Sequence, residues 1–417
     1  MVIRLVMGLL LMMSLTDDTL SAQASDADTR PATSPAPTGW FQVVDAGGDN
    51  PMRWMFGPLM EFQGRLYVGA YQPGAGCEIW RSADGQQWNV VVGPDATTPA
   101  GFGSPHNEQV TRLFVVGDWL LAGTWNTAQG AQLWRSRDGD HWEAVVGGTS
   151  SIPNGFGKTD TGIIALALFR DLLFAGTGSH EASQAELWVS HDQGLTWEPL
   201  AGERIAIHLA LGRESSYLQD FMVFRDALYV SVGNPELGAE IWRTRDGRAW
   251  EAVVGAPSGY EAGLINPHWD KIFSLDVFND YLYAAVSSST TEAAGVLWRS
   301  RDGTAWEVVS GEGTFGDSTH YGVSNVKAIG RRLVLSTTPH AGQAPEIWMS
   351  EEGQHWQPLA GSTAETPSGL TNPNNIGVAA LGGFRGWLYL TTLNRVDGGQ
   401  IWRSPLPVSE AAAPPAR

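Results

Sequence analysis

The 417-residue chain carries a single cysteine, Cys77, which excludes an intrachain disulfide and a cysteine-built zinc site. Cations are scarce: 26 Lys and Arg stand against 44 Asp and Glu, a formal net charge of −18. A surface this acidic repels phosphate and so excludes nucleic acid and anionic membranes as partners. The charges are scattered, so they read as solubility and not as an acidic tail. The apolar stretch near the N-terminus, "LVMGLLLMMSL", is too short to span a bilayer as a helix, and no membrane span is expected. What the chain has in quantity is 50 Gly, 23 Pro and 19 Trp in a 43% apolar composition, which describes a turn-rich globular protein.

The ends set the boundaries. Residues 1–24 read as a secretory signal: Arg4 supplies the positive start, and Ala22-Gln23-Ala24 the small-residue site, with cleavage after Ala24. Residues 25–38 form a Pro-rich linker and 405–417 a disordered tail, leaving 39–404 as one domain. The expected location is secreted or periplasmic.

Self-similarity decides the fold class. A tryptophan recurs at Trp80, Trp134, Trp188, Trp242, Trp298, Trp348 and Trp402, with gaps of 54, 54, 54, 56, 50 and 54 residues. A second follows eight or nine positions later in the first six copies, from Trp88 to Trp356. The seventh copy stops early, and its missing piece lies at the other end of the chain, where "GWFQVV" matches "QWNVVV". Each copy reads as four short strands with tight polar turns such as Asn279-Asp280. The expectation is all-β: a seven-bladed β-propeller of four-stranded antiparallel blades, the last closed by an N-terminal strand.

"SHDQGLTW" (190–197) resembles the Asp box, Ser-x-Asp-x-Gly-x-x-Trp, of sialidase-like (BNR) repeat propellers, and the other copies resemble a form one residue shorter. They depart at Thr244, in place of Ser, and at Glu352, in place of Asp. The resemblance implies a propeller. It does not carry sialidase activity across, because those catalytic domains resemble six-bladed rings and use three converging arginines. Arg81, Arg135, Arg243, Arg299 and Arg403 occupy equivalent places in separate copies and cannot converge. Asp84, Asp138, Asp192, Asp246 and Asp302 likewise recur too evenly for a catalytic site. An Asp that accepts turn amides, followed by a Gly that tolerates positive φ, is a structural device.

Selectivity is therefore expected on the loops between copies and on those between the second and third strands of each copy, which share one face around the channel. The ligand-binding candidates there are Arg53, Trp54, Asn107, Trp125, Asn126, Asp160, His180, Trp269 and Asn375. Aromatic rings beside Asn, Asp, His and Arg suit sugars, and each ring is either a ligand contact or a packed loop residue. The catalytic candidates are His106, His268, Asp270, His320 and Tyr321, by general acid–base or lyase chemistry. No cofactor is expected. A divalent metal on His106, His268 and His320 is the alternative, although no histidine pair has ligand spacing. The leading expectation is a propeller that binds a glycan or other small extracellular ligand. The alternatives are a polysaccharide-active lyase or hydrolase using the same face, and a docking platform for an envelope protein.

Overall fold

The computed structural model describes residues 39–45, 52–159, 161–179, 185–201, 217–235, 237–255, 264, 266, 268–288, 296–310, 315, 320–339, 343–361, 364 and 366–405. The chain is all-β, and among the described residues its strand pairing sorts into seven four-stranded antiparallel units. In the first unit, Met55–Phe62 pairs with Arg65–Tyr71, that strand with Glu78–Ser82, and that in turn with Asn89–Val92. In four units the turn between first and second strands has positive φ at both central residues, as the type I′ form demands, for example at Asn279 (47°) and Asp280 (65°).

The last unit is assembled from both ends of the described chain. Phe41–Asp45 pairs with Gln400–Ser404, with Phe41 opposite Arg403 and Asp45 opposite Gln400. The pairing hides an edge that would otherwise stay open to association. The innermost strands, Met55–Phe62, Gln109–Val116, Thr161–Phe169, Tyr217–Phe224, Lys271–Phe278, His320–Ile329 and Gly377–Phe384, contact one another in that order. The seventh returns to the first, so the circuit closes.

A buried apolar layer fills each interface between neighbouring units: Val110 and Leu113 against Phe62 and Tyr67, for example, and Phe384 and Tyr389 against Phe56 and Val68. Five further layers complete the circuit. Polar bridges stitch the inner strands as well. Asp276 accepts from the Ala328 amide of the next unit at 3.0 Å, and Asn325 Nδ2 donates to the Val378 carbonyl at 2.9 Å. The structure is a propeller whose inner strands surround a central channel. Among the described residues no helix is long and apolar enough to cross a membrane.

Candidate functional site

The repeated Ser-x-Asp turns lie between third and fourth strands, and their Ser and Asp side chains are used locally. Asp84 Oδ1 accepts from the Gln86 and Gln87 amides at 2.8 and 2.9 Å, while Ser82 Oγ accepts from the Gly85 amide. Asp246 and Asp302 repeat the arrangement, with Thr244 in the serine place of the former. Glu352 reaches the same kind of amide, that of His355, with its longer side chain. Amide donation from Ala305 and Thr304 lowers the Asp302 carboxyl to about 2, and the amides of Gln87, Arg248 and His355 lower Asp84, Asp246 and Glu352 in the same direction. Of the arginines that follow a marker tryptophan, Arg81 reaches Asp140 of the next unit at 2.9 Å, while others are held inside their own unit. Arg135, Arg243 and Arg299 pair with Glu143, Glu251 and Glu307, and Arg135 and Arg403 stack over Trp119 and Trp387.

The connections from one unit to the next, expected to be irregular and ligand-facing, share a plan in four cases among the described residues. Phe102, Phe156, Leu264 and Leu370 all adopt φ between 52° and 55°, a left-handed conformation unusual outside glycine. This backbone drives the side chain into the following unit. Phe102 stacks on Trp134 at 4.8 Å and meets Trp142 edge-on, and Phe156 does the same to Trp188 and Trp197. Burying a ring between two tryptophans offsets the local strain, which costs on the order of 1–3 kcal/mol.

Four of the ligand-binding candidates occupy one equivalent position in these connections, two residues before an inner strand. There they face a second repeated feature absent from the sequence reading. The residue two before each marker tryptophan is Glu78, Gln132, Glu186, Glu240, Val296, Glu346 or Gln400. In six of the seven it accepts a hydrogen bond from the indole Nε1, at 2.8–3.1 Å. Arg53 donates twice to Glu78, at 3.0 and 3.2 Å, and lies over Trp80. Asn107 donates to Gln132 at 2.6 Å and Asn375 to Gln400 at 3.0 Å. Where the acceptor is replaced by Val296, the loop residue is Trp269, edge-on to Trp298 at 6.1 Å. Charge meets charge, amide meets amide and ring meets apolar surface. Arg53, Asn107, Trp269 and Asn375 are buried, and their side chains hold loop to blade.

Asn126 is fully buried too, donating to Asn107 and accepting the Ala128 and Gln129 amides of its own turn. Trp125 is buried beside Ile164 and Tyr217. Trp54 is different: it is half-buried at the channel rim, edge-on to Tyr71 and beneath Arg395. His106 and His268 are exposed, whereas Asp270 is buried. Asp160 and His180 lie outside the described residues, as do the side chains of His320 and Tyr321, which begin an inner strand. Among the described residues no group of three or more His, Cys, Asp or Glu is arranged to hold a metal ion.

Among the described residues a further concave feature is the central channel, a cavity of about 240 Å³ lined by all seven inner strands. Its wall offers amides and hydroxyls from Gln109, Thr111, Gln219, Ser274, Ser324 and Asn325, and rings from Tyr217 and Phe273. Arg112 Nη2 donates to Asp220 Oδ1 at 2.9 Å, joining the second unit to the fourth. Asp220 also accepts the Phe221 and Leu275 amides, both at 3.0 Å, so its carboxylate is committed. The sequence signal for this wall was available: the first residues of each inner strand differ in kind between copies, while the residues that follow keep the apolar pattern.

No protein-family model and no curated protein matches the chain. Among solved structures, the chain is similar to a GH74 xyloglucanase from Xanthomonas campestris, with TM-score 0.54 and 19% identity over 90% of this chain and 54% of that one. A puromycin-hydrolysing peptidase from Mycobacterium tuberculosis is similar at TM-score 0.50 and 12% identity, over 91% of this chain and 56% of that one. The WD40 β-propeller domain of Doa1 is matched over 88% of this chain and 97% of that domain, at TM-score 0.49 and 11% identity. The chain spans about half the length of the two enzymes, and the likeness is one of fold: a β-propeller.

Proposed function

We propose that this protein is an exported propeller of the sialidase-like repeat superfamily that binds a glycan at the mouth of its central channel without transforming it. One observation carries the reading. The channel wall combines neutral amides and hydroxyls with the half-buried ring of Phe273. Sugars present apolar C–H faces and hydroxyl rims, which such a wall matches in both respects. Trp54, half-buried at the rim, extends the aromatic surface.

Binding is favoured over catalysis by the acids. Glycoside cleavage needs two carboxylates at a defined separation. Among the described lining residues the carboxylate is Asp220, already held by Arg112 and two amides.

The test is a glycan array run beside reducing-end and unsaturated-product assays on the same polysaccharides. Array binding with flat product traces is the expected result. Released product would establish the enzyme alternative instead, and a blank array would remove the glycan reading altogether.

A further inference from the structure

The chain contains three lysines, Lys158, Lys271 and Lys327, against 23 arginines. Two are paired: Lys158 with Glu186 and Lys327 with Asp276, each at 3.1 Å. Lys271 makes no ion pair or hydrogen bond with a described residue, although it is only 8% exposed. It is the first residue of the fifth unit's inner strand, the position filled in the second and fourth units by Gln109 and Tyr217, which line the channel. Its Nζ lies 5.7 Å from the ring centroid of Phe273, itself in the channel wall.

We propose that Lys271 is a nucleophilic amine at the channel mouth that captures a small aldehyde, such as the open-chain end of a reducing sugar, as an imine. Amines serve in this way where burial and the lack of a counter-ion leave the nitrogen lone pair free. Burial pushes the Lys271 amine below the usual lysine range, and the neighbouring Asp270 carboxylate opposes this more weakly. In the reaction the lone pair attacks the carbonyl carbon to give a carbinolamine. Water then leaves, made of the carbonyl oxygen and the two amine hydrogens, and a C=N bond remains. No oxidant or reductant enters. The inference goes beyond glycan recognition and does not depend on it.

Full-length protein treated with glycolaldehyde and sodium cyanoborohydride, then peptide-mapped by mass spectrometry, tests the proposal. The chain's amines are three lysines and the α-amine, and the exposed Lys327 and the α-amine serve as internal controls. Lys271 is expected to be modified faster than Lys327 at pH 7, because a lowered amine holds more free base there. The advantage is expected to shrink as pH approaches 10. A Lys271→Arg variant is expected to lose the mouth adduct and keep the control labels. Labelling of Lys327 and the α-amine with Lys271 untouched would overturn the proposal, and so would equal rates at all three lysines. The wild-type map decides the matter even if the variant misfolds.

Discussion

Arg112 and Asp220 stand 108 residues apart in sequence, yet they meet at 2.9 Å in the central channel. The third unit lies between their own two, so the pair spans the curve of the ring. Asp220 binds in three directions, to the guanidinium and to the amides of Phe221 and Leu275. Removing it and removing its partner therefore have different consequences. Asp220→Ala leaves a cation and two amides without an acceptor and is expected to cost about 2–4 kcal/mol. Arg112→Met leaves Asp220 with both amides and is expected to cost about 1 kcal/mol or less. Urea unfolding of the two variants measures the difference, and equal losses would contradict it.

Glu78 and Glu240 hold the same position in two units but differ in their surroundings. Glu78 is paired with buried Arg53, whereas Glu240 accepts only from Trp242 among the described residues. Glu78→Gln strands the guanidinium and is expected to destabilise by about 3–5 kcal/mol, as breaking a buried pair does. Glu240→Gln removes a buried acid and installs the residue found at Gln132 and Gln400, so it is expected to stabilise. Burial raises the Glu240 carboxyl. A raised carboxyl contributes stability below its unfolded value and loses it as pH rises through the folded one. The gain from Glu240→Gln should therefore be largest at pH 8 and fade toward pH 4. A loss at pH 8 in thermal melts would count against the assignment.

Gly85 at the first Ser-x-Asp turn has φ +73°, and a methyl group there would strike the Tyr389 hydroxyl of the last unit. The contact spans the junction where the two ends of the chain meet. Gly85→Ala is expected to cost about 2–3 kcal/mol, part from the backbone and part from the collision. Tyr389→Phe in the same chain is expected to recover about 1 kcal/mol of it. Strict additivity in the double-mutant cycle would rule the contact out.

The Ser-x-Asp turns give the fold an acid limit. Asp84, Asp246, Asp302 and Glu352 all titrate below their ordinary range in the folded state, Asp302 at about 2. The unfolded chain thus binds more protons as pH falls from about 4.5, and the stability these groups supply is lost between there and about 2. The melting temperature is expected to drop steadily over that window, with a shallower slope in Asp302→Asn. A melting temperature flat from pH 5 to pH 2.5 would contradict the prediction.

Much of the architecture was legible because the period of the tryptophans and the polar hairpin turns are local signals. So was the closure by Phe41–Asp45, whose match to the fourth strands is visible in the letters. The role of Arg53, Asn107 and Asn375 was not. A polar residue in a loop reads as solvent-facing unless its buried partner is known, and Glu78, Gln132 and Gln400 lie 25 residues further along. The clue was the acceptor two residues before each tryptophan. Alternation along a strand puts both side chains on one face. Trp269 followed the same logic in apolar form, standing where Val296 removes the acceptor. The channel wall was marked by the varied first residues of the inner strands, but which strand of each unit lies innermost depends on how the ring closes.

The proposed recognition lies at the channel mouth. Isothermal titration of an array-positive oligosaccharide into wild-type protein and Phe273→Ala, at matched melting temperature, tests it most directly. Removal of the ring is expected to weaken binding about tenfold or more, equivalent to about 1.4 kcal/mol. Affinity unchanged in Phe273→Ala would place the ligand elsewhere and contradict the account.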